Sequence, residues 1–312
     1  MEALLAAVGQ AGLWLDGPTG TQLEAGGFVL HPALWTAMAA ETAPILLADV
    51  HRRYLQAGAQ AITANTFRTT AYAAASAGLP MTQARRWTAD SVGIARRAVA
   101  EFSTPRWVLG SLAPLADCYR PEATPADSIV EREHARSADW LLEAGCDGLL
   151  LETQGCGREV RLAVAAVRRS YRGPVLVSFL PDESGARLLD GSDLQTTARS
   201  CAELGASALL INCAHAEVAQ LALSQLREAI EHSTPGLPLG AYPNADRLVC
   251  RDGQRIFIPD DQRHERLVAR MQQLRQAGAS ILGLCCGFGP ADLQHAIDCL
   301  DGRESDMQSP RS

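Results

Sequence analysis

The chain has 312 residues, of which 47% are hydrophobic, 20% charged and 5% aromatic, and mean hydropathy is close to zero. That is the composition of a globular protein with enough material for one large α/β barrel, and it excludes a disordered or low-complexity chain. A net charge of −7 without a basic block argues against binding to nucleic acid or an anionic membrane surface, and leaves small molecules as the expected partners.

The first segment, "MEALLAAVGQAGLWLDG", pairs a short apolar run with an acidic Glu2 and carries no Lys or Arg, a pattern unlike a secretory signal. No apolar run reaches the roughly 18 residues that a membrane span needs, so a cytoplasmic protein is expected. Nine cysteines, an odd number in such a chain, predict free thiols or metal ligands rather than a disulfide framework.

Eight short apolar runs follow one another, with amphipathic helical stretches between most neighbours. They are "LWLD" (13–16), "AITAN" (61–65), "WVLGS" (107–111), "GLLLE" (148–152), "VLVSF" (175–179), "ALLIN" (208–212), "LGAYPN" (239–244) and "SILGLCC" (280–286). Repeated βα units of this number predict a single (β/α)8 TIM barrel of α/β class, with its active site at the C-terminal rim of the strands. The barrel is expected to occupy residues 1–300 and a disordered tail residues 301–312.

Four runs are introduced by a small residue and glycine, in "LQAGAQ", "LEAGCD", "AELGAS" and "RQAGAS". Gly58, Gly145, Gly205 and Gly278 suit the left-handed position that ends a helix. The seventh residue beyond each is Asn65, Glu152, Asn212 and Cys285, and the eighth is Thr66, Thr153, Cys213 and Cys286. Polar residues thus arrive in one register, which in a barrel is the rim. Ordinary strand termination accounts for Asn and Thr there, but less well for a glutamate and three cysteines. Two long irregular stretches, 113–127 and 242–262, leave the same face and have the length of binding loops or lids.

Cys213, Cys285 and Cys286 would face one mouth, which is a plausible Zn²⁺ pocket of three thiolates and one open position. Adjacent cysteines on a strand point to opposite faces, so joint ligation requires the chain to leave extended geometry, for which Gly287 and Gly289 provide freedom. Pro290 then suits the first turn of a helix. From spacing alone, ligation, apolar packing and a strained disulfide all stay open. The other six cysteines, Cys118, Cys146, Cys156, Cys201, Cys250 and Cys299, read as packing or surface thiols. His215 could add a ligand, although a hydrogen-bonding or exposed histidine is the simpler expectation. Asp16, at the end of the first run, and Glu152 form a carboxylate pair suited to acid–base work or to a cationic ligand group. Asp16 could instead cap the helix that follows. Neither a phosphate-binding loop nor a dinucleotide fingerprint is present.

In order along the chain, "DGPTGTQLEAGG", "ANTF", "GSLAPLADCY", "LLLET", "SFLPDESGARLLDG", "INC", "AYPN" and "LCCGFGP" resemble the successive motifs of the homocysteine S-methyltransferases, over residues 16–290. The resemblance implies Zn²⁺ on Cys213, Cys285 and Cys286, and Asp16 and Glu152 on the amino group of homocysteine. It also implies a role for the backbone of Gly17 to Thr19 toward the carboxylate of homocysteine. Asn65, Asn212 and Tyr242 fall in matching motifs near the site. The implied reaction is methyl transfer from an onium donor, S-methylmethionine or S-adenosylmethionine, to the homocysteine thiol. Betaine or another thetin as donor and a selenol as acceptor are alternatives. Two other classes use the same residues: a non-catalytic zinc or redox-sensing protein, and a metal-free barrel lyase or hydrolase working through Asp16 and Glu152. The family motif has a second glycine where this chain has Leu284.

Overall fold

The computed structural model describes residues 12–251 and 254–302, together with Leu4 and Ala6. Strands β1 (Leu13–Trp14), β2 (Ala61–Ala64), β3 (Trp107–Leu112), β4 (Gly148–Gln154), β5 (Val175–Phe179), β6 (Ala208–His215), β7 (Leu239–Asn244) and β10 (Ala279–Leu282) form one sheet. All its neighbours pair in parallel, in the order β1-β10-β7-β6-β5-β4-β3-β2. A parallel bridge from Leu15 to Ala61 joins the two edges, so the sheet closes into the expected (β/α)8 barrel.

The strand sequences explain why it closes this way. Parallel strands covered on both faces are apolar on both, and the alternation of side chains sorts them into two cores. In β4, Leu150 points into the barrel while Leu149 and Leu151 pack against the outer helices. In β6 the inward pair is Ala208 and Leu210, and the outward pair Leu209 and Ile211. Leu13, Leu15, Leu109, Leu176 and Ile281 complete the interior, and its upper layer passes into Cys213, Tyr242 and Cys285. The site is therefore the top of the barrel core.

Each of the four capping glycines has a left-handed φ, between +97° and +108°. The register counted from them is real. The structure changes three expectations. β1 is only two residues long. β10 is regular only to Leu282, although Gly283 and Cys285 still donate to the Ala241 and Pro243 carbonyls of β7 at 3.2 and 2.9 Å. Stretch 242–262 is not irregular: β8 (Arg247–Arg251) and β9 (Gln254–Ile258) form an antiparallel hairpin. The last helix, Pro290–Asp301, carries one residue further than expected, and the tail from 303 lies outside the described residues. No helix among the described residues is long and apolar enough to cross a membrane.

Candidate active site

The mouth is lined by the rims and connections of six barrel strands and by the turn after β1. Near the C-terminal end of β6, Cys213 takes a left-handed conformation, φ +53°, and Thr153 near the end of β4 does the same at φ +60°. Both β-branched and thiol side chains avoid this region, so the two residues are held there by their surroundings. Cys285 and Cys286 come from the loop beyond β10. The turn is made at Gly287, φ +88°, where an added Cβ would come within 2.7 Å of the Ala245 Cβ. Gly289 is extended at φ −139° and does not make the turn. Pro290 opens the next helix, and the Asp292 carboxylate accepts a hydrogen bond from the Gly289 N–H at 2.8 Å.

Three sulfurs converge. The Sγ atoms of Cys213 and Cys285 are 3.3 Å apart, those of Cys285 and Cys286 4.0 Å apart, and all three lie within 4.8 Å of one another. Tetrahedral ligation at Zn–S of about 2.3 Å places sulfurs roughly 3.8 Å apart, so the cluster is close to the spacing such an ion needs and would take it after small side-chain shifts. It is the only three-ligand cluster of this kind among the described residues. With no cation between them the sulfurs cannot all ionise. Hydrogen bonds from Cys213 and Cys285, with Thr21, hold the Cys286 thiol well below its ordinary range, while Cys213 is pushed up because its proton is shared with the other two sulfurs. The eight cysteines whose side chains are described are all free, so the disulfide reading is not realised here.

Asp16 and Glu152 stand on the same mouth, Asp16 buried and Glu152 half-buried. One Asp16 oxygen accepts the Thr63 N–H at 2.9 Å and the other accepts the Thr63 hydroxyl at 3.2 Å. Asp16 does not cap the helix Thr19–Ala25, whose N-cap is Pro18. Glu152 accepts the Ser111 hydroxyl at 2.7 Å and lies beside Tyr242. Burial pushes Asp16 up to about 8, against the Thr63 hydrogen bonds and with help from the Glu152 charge. Burial likewise pushes Glu152 up to about 7. Gly17 passes directly over Tyr54: an added Cβ would sit 2.7 Å from the phenol oxygen. Gly17, Thr19, Asn65 and Tyr242 all line the pocket. Asn65 is engaged with Thr36, donating to its carbonyl at 2.9 Å and accepting from its hydroxyl at 2.6 Å, which leaves it a wall rather than an open polar group. Asn212 is fully buried beneath the rim.

Other sequence readings resolve as follows. His215 is no part of the sulfur cluster; its Nε2 pairs with Asp260 at 3.0 Å, and Arg270 donates to the same carboxylate oxygen at 2.6 Å. Cys118 was expected to be a packing thiol and is buried, but it also lines the pocket. The side chain of Cys250 lies outside the described residues. Sequence reasoning missed Thr63, Ser111, Trp35 and Phe67. Ser111 ends β3, which has no small-Gly cap before it, so the register rule could not reach it. The Trp35 and Phe67 rings stack with centroids 5.3 Å apart at the outer edge of the pocket. Both long stretches meet above the mouth, where Tyr119 packs edge-on against Phe257 of the hairpin at 5.7 Å.

Among the described residues, the pocket is lined by three carboxylates, Asp16, Glu24 and Glu152, four thiols, and no Arg, Lys or His. A (β/α)8 barrel with a thiol cluster and two carboxylates without cationic partners at one mouth has the layout of a metal-competent enzyme. The comparisons narrow this class. The family model described as homocysteine S-methyltransferase matches residues 13–300, and the chain belongs to that family. It is 31% identical to the homocysteine S-methyltransferase of Escherichia coli K12 over 295 residues, covering 90% of this chain and 93% of that one. It is 29% identical to the homocysteine S-methyltransferase YbgG of Bacillus subtilis, over 90% and 91% of the two chains. A methionine synthase of Mycobacterium tuberculosis matches at 28% identity, but this chain spans only 24% of its length. Among solved structures, the metallated form of the E. coli homocysteine methyltransferase MmuM superposes with a TM-score of 0.78 at 31% identity, covering 94% of this chain and 97% of that one.

Proposed function

We propose that the chain transfers a methyl group from a sulfonium donor, S-methylmethionine or S-adenosylmethionine, to the thiol of L-homocysteine, giving methionine, with Zn²⁺ held by Cys213, Cys285 and Cys286. The observation that carries this reading is the meeting of three sulfurs and two carboxylates that lack cationic partners on one barrel mouth. Zinc bound there would keep an incoming thiol ionised at neutral pH.

The chain's own residues do the rest. Asp16 and Glu152 accept the homocysteine ammonium, which returns to two carboxylates the charge partner that the protein withholds. The N–H groups of the Gly17–Thr19 turn face the other end of the amino acid. Trp35, Phe67 and Tyr119 wall the outer pocket and exclude water; Trp35 and Phe67 already hold the Arg68 guanidinium at 5.1 and 5.5 Å, so Tyr119 is the ring that would meet an onium cation. The sulfur attacks the methyl carbon in line; the S–C bond forms as the donor's bond to that carbon breaks, and the electron pair leaves with the donor. The donor's positive charge is lost in this step, and alignment of the two reactants supplies much of the acceleration.

Two small molecules are the only partners this site calls for. Free thiols of this number suit the cytoplasm, where we place the reaction. Residues 1–300 are read as one homocysteine-binding barrel. The test is methionine formation from homocysteine with S-methylmethionine, S-adenosylmethionine, betaine and dimethylsulfoniopropionate in parallel. Turnover with a sulfonium donor and none with betaine is expected, and Cys285→Ala should lose both zinc and activity. Turnover with betaine alone moves the donor to the ammonium class, and purified protein without zinc sinks the metal assignment.

A further inference from the structure

The two left-handed residues at the rim are not independent. Thr153 and Cys213 occupy the same position relative to their capping glycines, and β4 and β6 each shift register there, between Leu151 and Gln154 and between Asn212 and His215. Asn212 ties the two irregularities together across the intervening β5. Its Oδ1 accepts the Thr153 N–H at 3.1 Å and the Ser178 hydroxyl at 2.7 Å; its Nδ2 donates to the Thr153 Oγ1 at 2.8 Å and points its other hydrogen at the Cys213 sulfur, 3.5 Å away. Every hydrogen-bonding site of this fully buried amide is thus used. On the opposite side, Asn244 Nδ2 donates to the Cys213 carbonyl at 2.9 Å.

We infer that Asn212 is a positioning residue: it locks the paired bulges of β4 and β6 so that Cys213 presents its sulfur to the metal position, and its N–H···S hydrogen bond tempers the charge of that sulfur. A left-handed conformation costs a non-glycine residue about 1–2 kcal/mol, so neither bulge is held by its own preference. The amide that spans them is the element able to hold both. Ser178 fixes the amide, which makes β5 the fulcrum of the clamp. The inference rests on the zinc reading above.

The test compares wild type with Asn212→Asp, which keeps the shape and the acceptor but removes both N–H donors, and Thr153→Val, which removes one hydroxyl. Zinc affinity is measured by competition with a chromophoric chelator, and cobalt-substituted protein is scanned for its thiolate-to-metal charge-transfer band. Removing an outer-shell partner typically costs 10- to 100-fold in metal affinity, and that loss is expected for Asn212→Asp, with a displaced charge-transfer band. Thr153→Val is expected to lose several-fold, and Thr153→Ser to bind as wild type does. Wild-type affinity and an unmoved band in Asn212→Asp with a native near-ultraviolet spectrum would overturn the inference. If that variant does not fold, Thr153→Val decides by the same two readings. If wild type itself takes up no zinc, the zinc reading fails first and this inference with it.

Discussion

The barrel buries carboxylates in two places and treats them in opposite ways. Behind the mouth, Glu159 accepts the Leu115 N–H at 2.8 Å, the Thr124 hydroxyl at 3.0 Å and pairs with His134 at 3.1 Å. Burial pushes it up, but these hydrogen bonds outweigh burial and hold it below the usual glutamate range. Asp260 follows the same pattern: burial raises it, and His215 and Arg270 bring it well down. In the mouth, Asp16 and Glu152 receive only neutral donors and rise to about 8 and about 7. Carboxylates of the same chemistry thus shift in opposite directions, because one set, the buried Glu159 and the half-buried Asp260, is completed by the protein. The other is left for a ligand, and ionising it without a cation costs stability. The paired set does structural work for the unpaired one. Glu159 anchors the stretch that carries Cys118 and Tyr119 to the pocket, and Asp260 anchors the end of the hairpin segment to β6.

The comparison breaks most visibly at Glu159. Glu159→Ala strands His134 and a buried N–H, and removal of one partner of a buried pair costs about 3–5 kcal/mol. A lowered Tm in differential scanning calorimetry, with zinc still bound by the folded fraction, is the expected result. An unchanged Tm would mean that the pair is no more than packing. Glu152→Gln should do the reverse. It removes a charge that the fold does not need, so Tm holds or rises, while kcat/KM for homocysteine falls about 10²-fold, roughly 2.7 kcal/mol. A variant that loses stability and keeps its kcat/KM would place Glu152 with the scaffold.

Leu284 marks the boundary between the two regions. It is 2% exposed, packs in the outer core, lines the pocket, and its N–H donates to the Asp16 carbonyl at 3.2 Å. The side chain that replaces the family's glycine fills the wall rather than crowding the sulfurs. Leu284→Ala should cost about 2 kcal/mol in chemical denaturation and leave zinc affinity unchanged. Tighter zinc in the variant would show that the leucine does press on the metal position.

Much of this was legible before the coordinates. The register of Glu152, Cys285 and Cys213 followed from four glycines because a helix cap and a strand of fixed length leave no other place for the seventh and eighth residues. Ser111 and Thr63 escaped because their strands' role is visible only once β2 and β3 lie beside the carboxylates. The hairpin escaped although "RLVCRDGQRIF" carries an Asp-Gly turn between two runs. Its strands are charged and cover the mouth instead of forming a core, so their apolar alternation is weak. Glu159 and His134 sit on different helices, and nothing along the chain pairs residues 25 apart. The bend at Cys285–Cys286 was anticipated, but glycine content alone could not tell Gly287 from Gly289; only the former has positive φ.

The pH-dependent effect is the most specific to the mouth. Asp16 has a folded value near 8 against 3.8 in an unfolded chain, so the folded state binds the extra proton between these limits. Its contribution to stability is complete below pH 3.8 and is lost as pH rises toward 8. His51, buried without hydrogen-bond partners and lowered by burial to about 4, acts oppositely: its contribution is lost as pH falls from 6.5 toward 4. Wild-type Tm mixes the two, but His51 cancels in the difference between wild type and Asp16→Asn. That difference should widen in favour of the variant from pH 6 to pH 8 in metal-free protein. Over the same interval wild-type kcat/KM for homocysteine should climb, by up to about tenfold per pH unit for each of Asp16 and Glu152 that must ionise to meet the ammonium. Asp16→Asn should flatten that limb. A Tm difference that is constant with pH would show that Asp16 ionises normally and that the mouth is not held short of a cation.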